Sequence, residues 1–427
     1  MSLSKHKKIP TYDFPEEILS EVFKRLPVKY VLRCGAVQKS WYSLIKSPMF
    51  ISLHSKHQIL TAHVNPKYLL FHNTSTQLFT VRSDDAQSQE YCTFEYSLDL
   101  PNEAWNAHSN GLVCVSNMFD EKYRYNRKHC YNPDIYLWNP LVQKFKAVPD
   151  SPLCTFKCKE IKWRALAFGF LPEVNDYVVI HVVKPKLTSE PKSFDFCDLD
   201  PPVAYRQYPH SVVIGVYSLN TNSWKKLSQD KVFVDGMTSD QSVFVNGTAY
   251  WVGSSDYELS QLIMCFDTKT NILQKIMLPS WLEIFDRQLI NPLIFPFGQS
   301  IAYFIEVDED DAKEEEDGSG SPHLDIWVLK DNMEREDDLF GELPWEKKMS
   351  VGLSENVWVE VLGIRNNGEP ILAKSNNLIS YDLDTHEPYD FVESCDRLTP
   401  RYDYEEGSKP PFIISPFVET LVLLDID

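Results

Sequence analysis

The chain has 427 residues, of which 43% are hydrophobic and 13% aromatic, so it holds enough apolar material for a sizeable core. Its formal net charge of −19 argues against a nucleic-acid-binding surface and against anionic membranes as partners. It has nine irregularly spaced cysteines, no apolar signal core and no stretch long enough to span a membrane, so we expect reduced thiols, no metal site, no cofactor and a cytoplasmic or also nuclear location.

The first fifty residues predict three short helices, because their apolar residues recur at helical spacing. These residues are Ile18, Leu19, Val22, Phe23 and Leu26, then Val28, Val31 and Leu32, then Val37, Trp41, Leu44 and Ile45. Helices this short cannot bury all of these side chains alone. Either they pack on the rest of their own chain, or their apolar face belongs to a partner. Residues 1–60 hold ten Lys and Arg against four acids, which favours a partner with an acidic surface.

The same segment resembles an F-box of the plant type. The resemblance is carried by FPEEIL from Phe14, LPVK from Leu26, LRC from Leu32, KSW from Lys39 and LI from Leu44. It implies an F-box over 8–54, a linker over 55–67, and binding to a Skp-type adaptor and through it to the cullin of a ubiquitin ligase. The residues expected to bind the adaptor are Phe14, Pro15, Ile18, Leu19, Leu26, Pro27, Val28, Leu32, Val37, Trp41, Leu44 and Ile45.

Two residues depart from the family pattern and bear on adaptor affinity. Phe14 stands where the family usually has Leu, and Gly35 lies in a stretch that is usually more apolar or richer in Cys. Because Gly weakens a helix interior, we expect Gly35 at the end of a helix.

After Ser47-Pro48 the pattern changes to short β-type runs separated by turn residues, and no long amphipathic helix is expected. The runs start at Tyr68, Leu78, Gly111, Asp134, Ala165, Tyr177, Val212, Phe244, Leu262, Ile301, Leu324, Leu378 and Glu419. They predict an all-β domain over 68–427 behind the small α-helical module.

A degenerate repeat runs through this domain. Each copy is a β-run, a polar turn and a second β-run, as in 135–149, 214–228, 263–279 and 378–392. A strand pair built around a glycine usually precedes the copy, at Gly111, Gly247, Gly298 and Gly368. Four strands per unit predict a β-propeller, with a β-sandwich or a pair of sandwiches as the alternative. We expect the tail from Glu419 to supply a closing strand beside the runs at 68–82.

The β-domain resembles the kelch-like, F-box-associated domain found behind plant F-boxes. The phrases SNGLVCVS (109–116), IYLWNP (135–140), VYSLNTNSW (216–224) and FVETLVLL (417–424) are most similar to the S-locus F-box branch of that family. The resemblance implies a propeller-like domain that holds a target protein for ubiquitination and proteasomal degradation. The S-locus branch implies pollen self-incompatibility, with a pistil ribonuclease as one candidate target and an unrelated protein as the other.

Two long segments lack strand character. Residues 306–322 begin with nine acids among twelve residues and end in Gly and Ser, so we expect a solvated loop that is neither catalytic nor structural. Residues 184–210 are rich in Pro and aromatic residues and predict a long excursion between strands.

Target choice is predicted to lie in the segments 117–133 and 184–210. Both hold Tyr and Arg, residue types that are enriched at binding hot spots: Tyr123, Arg124, Tyr125 and Arg127 in one, and Tyr205, Arg206 and Tyr208 in the other. The alternative is that both are ordinary solvated loops.

The sequence contains no pattern that indicates catalysis. It has no Gly-rich phosphate loop, no nucleophile elbow and no paired-histidine metal motif. We therefore expect a non-catalytic subunit that raises the effective concentration of a target lysine near a loaded ubiquitin carrier. Two other classes stay open. A binding propeller without ligase attachment would not bind a Skp-type adaptor, and a propeller hydrolase would show His and carboxylates converging in a central pocket.

Overall fold

The computed structural model describes residues 14–65, 67–73, 76, 78–85, 87–95, 105–117, 134–153, 161–186, 211–230, 232, 234, 236–255, 260–278, 293–307, 323–330, 345–352, 359–374, 377–385, 387–392 and 412–425. Four helices come first: α1 (Glu16–Phe23), α2 (Val28–Gly35), α3 (Lys39–Ile45) and α4 (Pro48–Val64). The described elements that follow are all strands. Among these described parts, no helix has the length and apolar character needed to cross a membrane.

The fourth helix occupies most of the expected linker over 55–67, because α4 continues to Val64. Its start is well capped: Pro48 is the first helical residue, and the hydroxyl of Ser47 accepts a hydrogen bond of 3.2 Å from the backbone N–H of Phe50. The helix was missed because it is apolar on several sides. Phe50 and Ile59 are buried while Leu60 on another face is exposed, so no amphipathic period marks the helix in the sequence.

The described strands form six four-stranded blades. Blade 1 contains β1 (Tyr68–Asn73), β2 (Leu78–Ser83), β3 (Glu90–Glu95) and the last strand, β24 (Phe412–Phe417). Blade 2 contains β4 (Trp105–Ser109), β5 (Leu112–Ser116), β6 (Ile135–Asn139) and β7 (Lys144–Ala147). Blade 3 contains β8 (Ile161–Leu171), β9 (Asp176–Pro185), β10 (Val212–Ser218) and β11 (Ser223–Gln229).

The other three blades follow the same order. Blade 4 contains β12 (Gly236–Val245), β13 (Thr248–Ser255), β14 (Ser260–Asp267) and β15 (Ile272–Met277). Blade 5 contains β16 (Leu293–Phe297), β17 (Ser300–Val307), β18 (His323–Leu329) and β19 (Trp345–Gly352). Blade 6 contains β20 (Val359–Ile364), β21 (Pro370–Lys374), β22 (Asn377–Tyr381) and β23 (Pro388–Val392).

The core of the domain lies between the blades. Each pair of neighbouring blades shares a hydrophobic cluster, and one strand of each blade lies beside its neighbours in the order β4, β8, β12, β16, β20 and β24. A blade therefore buries both of its faces, which explains why β5 and β9 are buried along almost their whole length and read as continuous apolar runs. The predicted fold class, a small helical module followed by a β-propeller, is confirmed.

The ring is closed by β24, which pairs antiparallel with β1 and meets β20 at Gly363 and Ile414. This corrects the expectation that the tail from Glu419 forms the closing strand. The apolar residues of that tail are used elsewhere: Leu421 packs among the helices, and Leu423 packs between blades 2 and 3.

The four predicted glycine turns are confirmed. Gly111, Gly247, Gly298 and Gly368 all have positive φ and connect the first and second strands of blades 2, 4, 5 and 6. In two of these turns the preceding Asn110 or Asn246 also has positive φ, as a two-residue hairpin turn of type I′ requires.

Both long segments start later than expected. Glu306 and Val307 belong to β17, and Lys184 and Pro185 belong to β9. Residues 308–322 and 187–210 lie outside the described residues.

Candidate docking site

The helical module is organised around a small apolar core. The rings of Phe23 and Trp41 meet edge to face with centroids 5.1 Å apart, and Phe23 meets Phe50 in the same way at 6.4 Å. Buried side chains of all four helices complete this core: Phe23, Val28, Val31, Leu44, Ile45, Phe50 and Ile51. The core fixes the helices relative to one another, so their outer side chains form a defined surface.

Side chains of α4 hold the end of α1. The Nε2 of His54 lies 3.0 Å from the carbonyl oxygen of Leu26, and the Nε2 of Gln58 donates to the carbonyl oxygen of Lys24 at 3.0 Å. Because a carbonyl oxygen only accepts, His54 must carry its hydrogen on Nε2. Burial lowers the pKa of His54 to about 4, so the ring is neutral at physiological pH.

The structure separates the twelve predicted adaptor-binding residues into three groups. Phe14, Pro15, Ile18 and Val37 are exposed, and Leu19, Leu26, Pro27, Leu32 and Trp41 are half-buried. Val28, Leu44 and Ile45 are buried in the module core. These last three lie on the inner faces of α2 and α3, so in this structure they support the predicted adaptor-binding surface and do not form part of it.

Exposed apolar side chains are concentrated on this module. Among the described residues, eleven large apolar side chains are exposed, and nine of them lie between positions 14 and 64. They are Phe14, Ile18, Val22, Tyr30, Val37, Tyr42, Met49, Leu60 and Val64. A monomeric protein rarely clusters such side chains without a partner for them.

Part of this surface was missed from the sequence. Val22 follows Ile18 at an interval of four residues, so these two side chains lie on one face of α1. That spacing could have identified Val22 as a surface residue. Tyr30 and Tyr42 carry no comparable signal, because aromatic residues at such positions are as common in a core.

The surface is also basic. The described part of the module contains seven Lys and Arg and three Glu. Arg33 lies over the ring of Tyr30 at 5.8 Å, and Lys46 over the ring of Tyr42 at 5.7 Å. Positive charge therefore accompanies the exposed rings, which suits a partner surface that is both apolar and acidic.

Gly35, one of the two departures from the family pattern, is the last residue of α2, as expected for a glycine. A Cβ atom there would lie 3.6 Å from Ile45, which is ordinary van der Waals contact. The glycine is therefore not required by a close approach, and the surrounding surface does not depend on it.

The other side of the module packs on the propeller. Leu421 from the C-terminal tail is part of the module core, and Leu141 and Val142 of blade 2 pack against it. Asn175, in the turn between the first two strands of blade 3, donates a hydrogen bond of 2.9 Å to the hydroxyl of Ser52. One side of the module is thus covered by its own chain, as the first interpretation expects, and the assignment of the exposed apolar side to a partner stays a prediction.

The predicted target-binding residues Tyr123, Arg124, Tyr125, Arg127, Tyr205, Arg206 and Tyr208 lie outside the described residues. The base of the first of these segments is described. Asn117 donates from Nδ2 to the carboxylate of Asp134 at 2.8 Å and accepts from its backbone N–H at 3.0 Å. Within the described parts of the chain, no group of three or more His, Cys, Asp or Glu is arranged to hold a metal ion.

Fold and site together define a protein in which a helical docking module is fixed to a six-bladed β-propeller. Comparison with protein families agrees: residues 12–53 match the F-box domain, and residues 67–382 match the F-box associated beta propeller domain. The chain belongs to this family of F-box proteins. An F-box domain implies binding to a Skp-type adaptor and through it to a cullin, and F-box proteins are generally non-catalytic substrate adaptors.

Relatives in Arabidopsis thaliana are similar at low identity. The F-box protein At1g47340 is 21% identical over 384 residues, which is 85% of this chain and 70% of that protein. The F-box protein At5g49610 is 27% identical over 64% of this chain and 66% of its own length, and F-box protein CPR1 is 27% identical over 50% and 45%. Among solved structures, the β-propeller domain of the trilobed protease from Pyrococcus furiosus aligns with a TM-score of 0.32 and 12% identity, over 68% of this chain and 84% of that one.

Proposed function

We propose that this chain is the target-recognition subunit of a Skp-cullin-F-box ubiquitin ligase, acting in the cytoplasm or nucleus. The observation that carries the proposal is the concentration of exposed apolar side chains on the F-box module, where nine of the eleven described examples lie. The module binds the Skp-type adaptor, and the propeller holds the target protein for ubiquitination and proteasomal degradation.

The mechanism is geometric. Binding the adaptor at one end and the target at the other converts ubiquitin transfer into a reaction between components of one complex, which raises their effective concentration. The chain itself supplies no nucleophile in this scheme. The described thiols of Cys92 and Cys265 support this, because burial raises the pKa of each to about 12 and keeps it protonated.

The topology supports target binding on the propeller face away from the module. The module packs beside the turn at Asn175, where β9 begins, and the C-terminal residues Val418 and Thr420 lie against the turn at Gly111, where β5 begins. Because the strands are antiparallel, β5 and β9 end at the opposite face. The segments proposed to choose the target, 117–133 and 184–210, leave the blades from those ends. A target bound there leaves the adaptor-binding surface free.

The resemblance to the S-locus branch makes a pistil ribonuclease the first target to test, with an unrelated protein as the alternative. Affinity purification from an extract of pollinated pistils, with the full chain as the bait and the proteasome inhibited, identifies the target directly. Exchange of segments 117–133 and 184–210 with those of a relative should then transfer target choice without altering adaptor binding. A chimera that keeps the recipient's targets would move recognition elsewhere on the propeller.

The ligase assignment itself is tested by co-expressing the full chain with a plant Skp-type adaptor and a cullin. We expect a ternary complex that survives size-exclusion chromatography. Absence of the adaptor from the complex would favour the second candidate, a binding propeller that works without ligase attachment.

A further inference from the structure

The second helix of the module has no cap of its own. Its N-cap residue is Pro27, whose side chain has no acceptor, and the first turn contains no acidic residue. The missing acceptor comes from the far end of the chain: the carboxylate of Glu419 accepts a hydrogen bond from the backbone N–H of Val28. The hydroxyl of Tyr91 in blade 1 donates to the same carboxylate at 2.9 Å. A negative charge at a helix N-terminus is stabilising because it meets the positive end of the helix dipole.

The same C-terminal segment also fills the module core. Leu421 is completely buried and belongs to the cluster that contains Phe23, Val31 and Phe50. The chain turns back directly afterwards, with the N–H of Leu424 bonded to the carbonyl oxygen of Leu421 at 2.9 Å. Since the module is small, one fully buried leucine is a substantial part of its apolar core.

The segment is anchored equally firmly on the propeller. Leu423, two residues after Leu421, is buried in the cluster between blades 2 and 3. Asn139 of blade 2 is buried and donates from Nδ2 to the carbonyl oxygens of Thr420 and Val422 at 2.9 and 2.8 Å. Residues 418–424, the C-terminal clasp, therefore belong to both parts of the molecule.

The clasp follows directly on β24, the strand that closes the propeller ring. We infer that ring closure and formation of the docking surface are coupled: the clasp delivers Glu419 and Leu421 to the module only when β24 has joined blade 1. In a chain whose ring is open, α2 lacks its cap and the module core lacks Leu421. An adaptor would then bind preferentially to chains whose propeller is complete. This last step rests on the proposed function, whereas the coupling itself does not.

Amide hydrogen exchange on the full chain tests the coupling without any partner. The variant pair is Leu421→Ala and Leu423→Ala, the same residue type in the same clasp with both side chains buried. Leu421 packs in the module core, whereas Leu423 packs in the cluster of blades 2 and 3, which Ile59 of α4 also joins. Leu421→Ala should raise exchange of the α2 amides by about tenfold or more, because local opening follows local stability. Leu423→Ala should leave α2 exchange within about twofold of the parent while raising exchange in blades 2 and 3. Equal effects of both variants on α2, or no effect of Leu421→Ala, would overturn the inference.

A second pair tests the cap and avoids a large change in packing. Glu419→Gln keeps an acceptor for the Val28 N–H, whereas Glu419→Ala removes it. We expect faster exchange at Val28 and Lys29 in Glu419→Ala and close to parental exchange in Glu419→Gln. Parental exchange in both variants would show that Glu419 does not cap α2.

Titration with a recombinant Skp-type adaptor then connects the clasp to docking. The affinity of Leu421→Ala should fall by about tenfold or more relative to Leu423→Ala, in parallel with α2 exchange. If the parent chain binds the adaptor and Leu421→Ala binds equally well, the coupling to docking is refuted. If the parent chain does not bind the adaptor at all, the proposed function fails, and the exchange experiments still decide whether the clasp organises the module.

Discussion

The hydroxyls of Ser55 and Thr420 share a buried hydrogen bond of 2.7 Å although 365 positions separate them in the sequence. Ser55 lies in α4 of the docking module, and Thr420 follows the strand that closes the propeller. The bond joins the two ends of the chain at the place where the module meets the blades. The module is therefore fixed against the propeller by contacts of its own, which orients the proposed target-binding face relative to the proposed adaptor.

Replacing Gly111 should destabilise the protein more than replacing Gly298. Both residues have positive φ, which costs an alanine about 1 kcal/mol or more. A Cβ at Gly111 would also lie 2.2 Å from the carbonyl oxygen of Val418, whereas a Cβ at Gly298 would meet no atom within 4 Å. Chemical denaturation should show a loss of about 1 kcal/mol for Gly298→Ala and at least about twice that for Gly111→Ala. Equal losses would mean that the clasp does not approach Gly111 this closely.

Stability should fall in mild acid through the buried histidines. Burial lowers the pKa of His54 from 6.5 to about 4, so the unfolded chain binds a proton between these values and the folded chain does not. The stabilising contribution of neutral His54 is complete above pH 6.5 and is lost as the pH falls toward 4. The unfolding free energy lost over this range is about 3 kcal/mol. Burial lowers the pKa of His108 and His181 to about 3, with the same sign.

The contribution of His54 is measured as the difference in unfolding free energy between the parent and a His54 variant. This comparison is needed because Glu360 changes the stability of the parent with pH in the opposite direction. Burial raises its pKa to about 7, so the folded chain binds a proton first and stability rises as the pH falls through that value. Urea unfolding at several pH values should show a shallower loss for His54→Gln than for the parent. His57→Gln is the comparison variant, since His57 lies on the same helix but is only partly buried: burial lowers its pKa in the same direction, and removing it should change the pH dependence less than removing His54. The same pH dependence in His54→Gln and the parent would contradict the prediction.

The stability of the contact between the last and first blades should depend on Asp84. Its carboxylate accepts from the Nε of Arg365 at 2.7 Å and from the Nδ2 of Asn366 at 2.7 Å, and both members of the ion pair are nearly inaccessible. Asp84→Ala removes one partner of the buried guanidinium of Arg365, which should lower the unfolding free energy by about 3 kcal/mol. The control is Glu173→Ala, which breaks an exposed ion pair with Lys269 and should cost far less, because solvent screens exposed pairs. Similar losses of stability in Asp84→Ala and Glu173→Ala, measured by calorimetry, would refute a structural role for the pair of Asp84 and Arg365.

Residues 308–322 should be replaceable by a short turn. Val307 and His323 are direct register partners at the end of the β17–β18 pair, so a turn of a few residues can connect them. Shortening the connection removes loop-closure entropy and should change the unfolding free energy by about 1 kcal/mol in the stabilising direction. Thermal unfolding measures this. A collapse of the fold would show that the acidic segment is structural, and loss of target binding in an intact fold would make it a recognition element.

Local features of the fold could be predicted from the sequence. The turns at Gly111 and Gly247 follow from an Asn-Gly pair between apolar runs, because few other residues adopt positive φ. The strands of the propeller were found because apolar runs such as 177–183 are buried on both faces. In each case the signal lies within a few residues of the feature.

Features that depend on distant contacts could not be predicted. The inner position of Leu44 and the outer position of Val37 look alike in a helical pattern, since periodicity marks an apolar face without saying what covers it. The role of Glu419 at the start of α2 depends on a contact across nearly the whole chain. The same holds for Leu421, whose β-type surroundings predicted a strand while the structure uses its side chain to complete the helical module.

The outer surface of the helical module is the proposed adaptor-binding site. Val37 and Val174 provide the most direct test, because they are equally large apolar residues with exposures of 66% and 62%, one on the module and one on the propeller. Calorimetric titration of each full-chain Asp variant with a Skp-type adaptor measures the dissociation constant. Val37→Asp should weaken binding by more than about thirtyfold, the equivalent of about 2 kcal/mol, and Val174→Asp should leave it unchanged. Parental affinity in Val37→Asp, or equal weakening in both variants, would contradict the assignment.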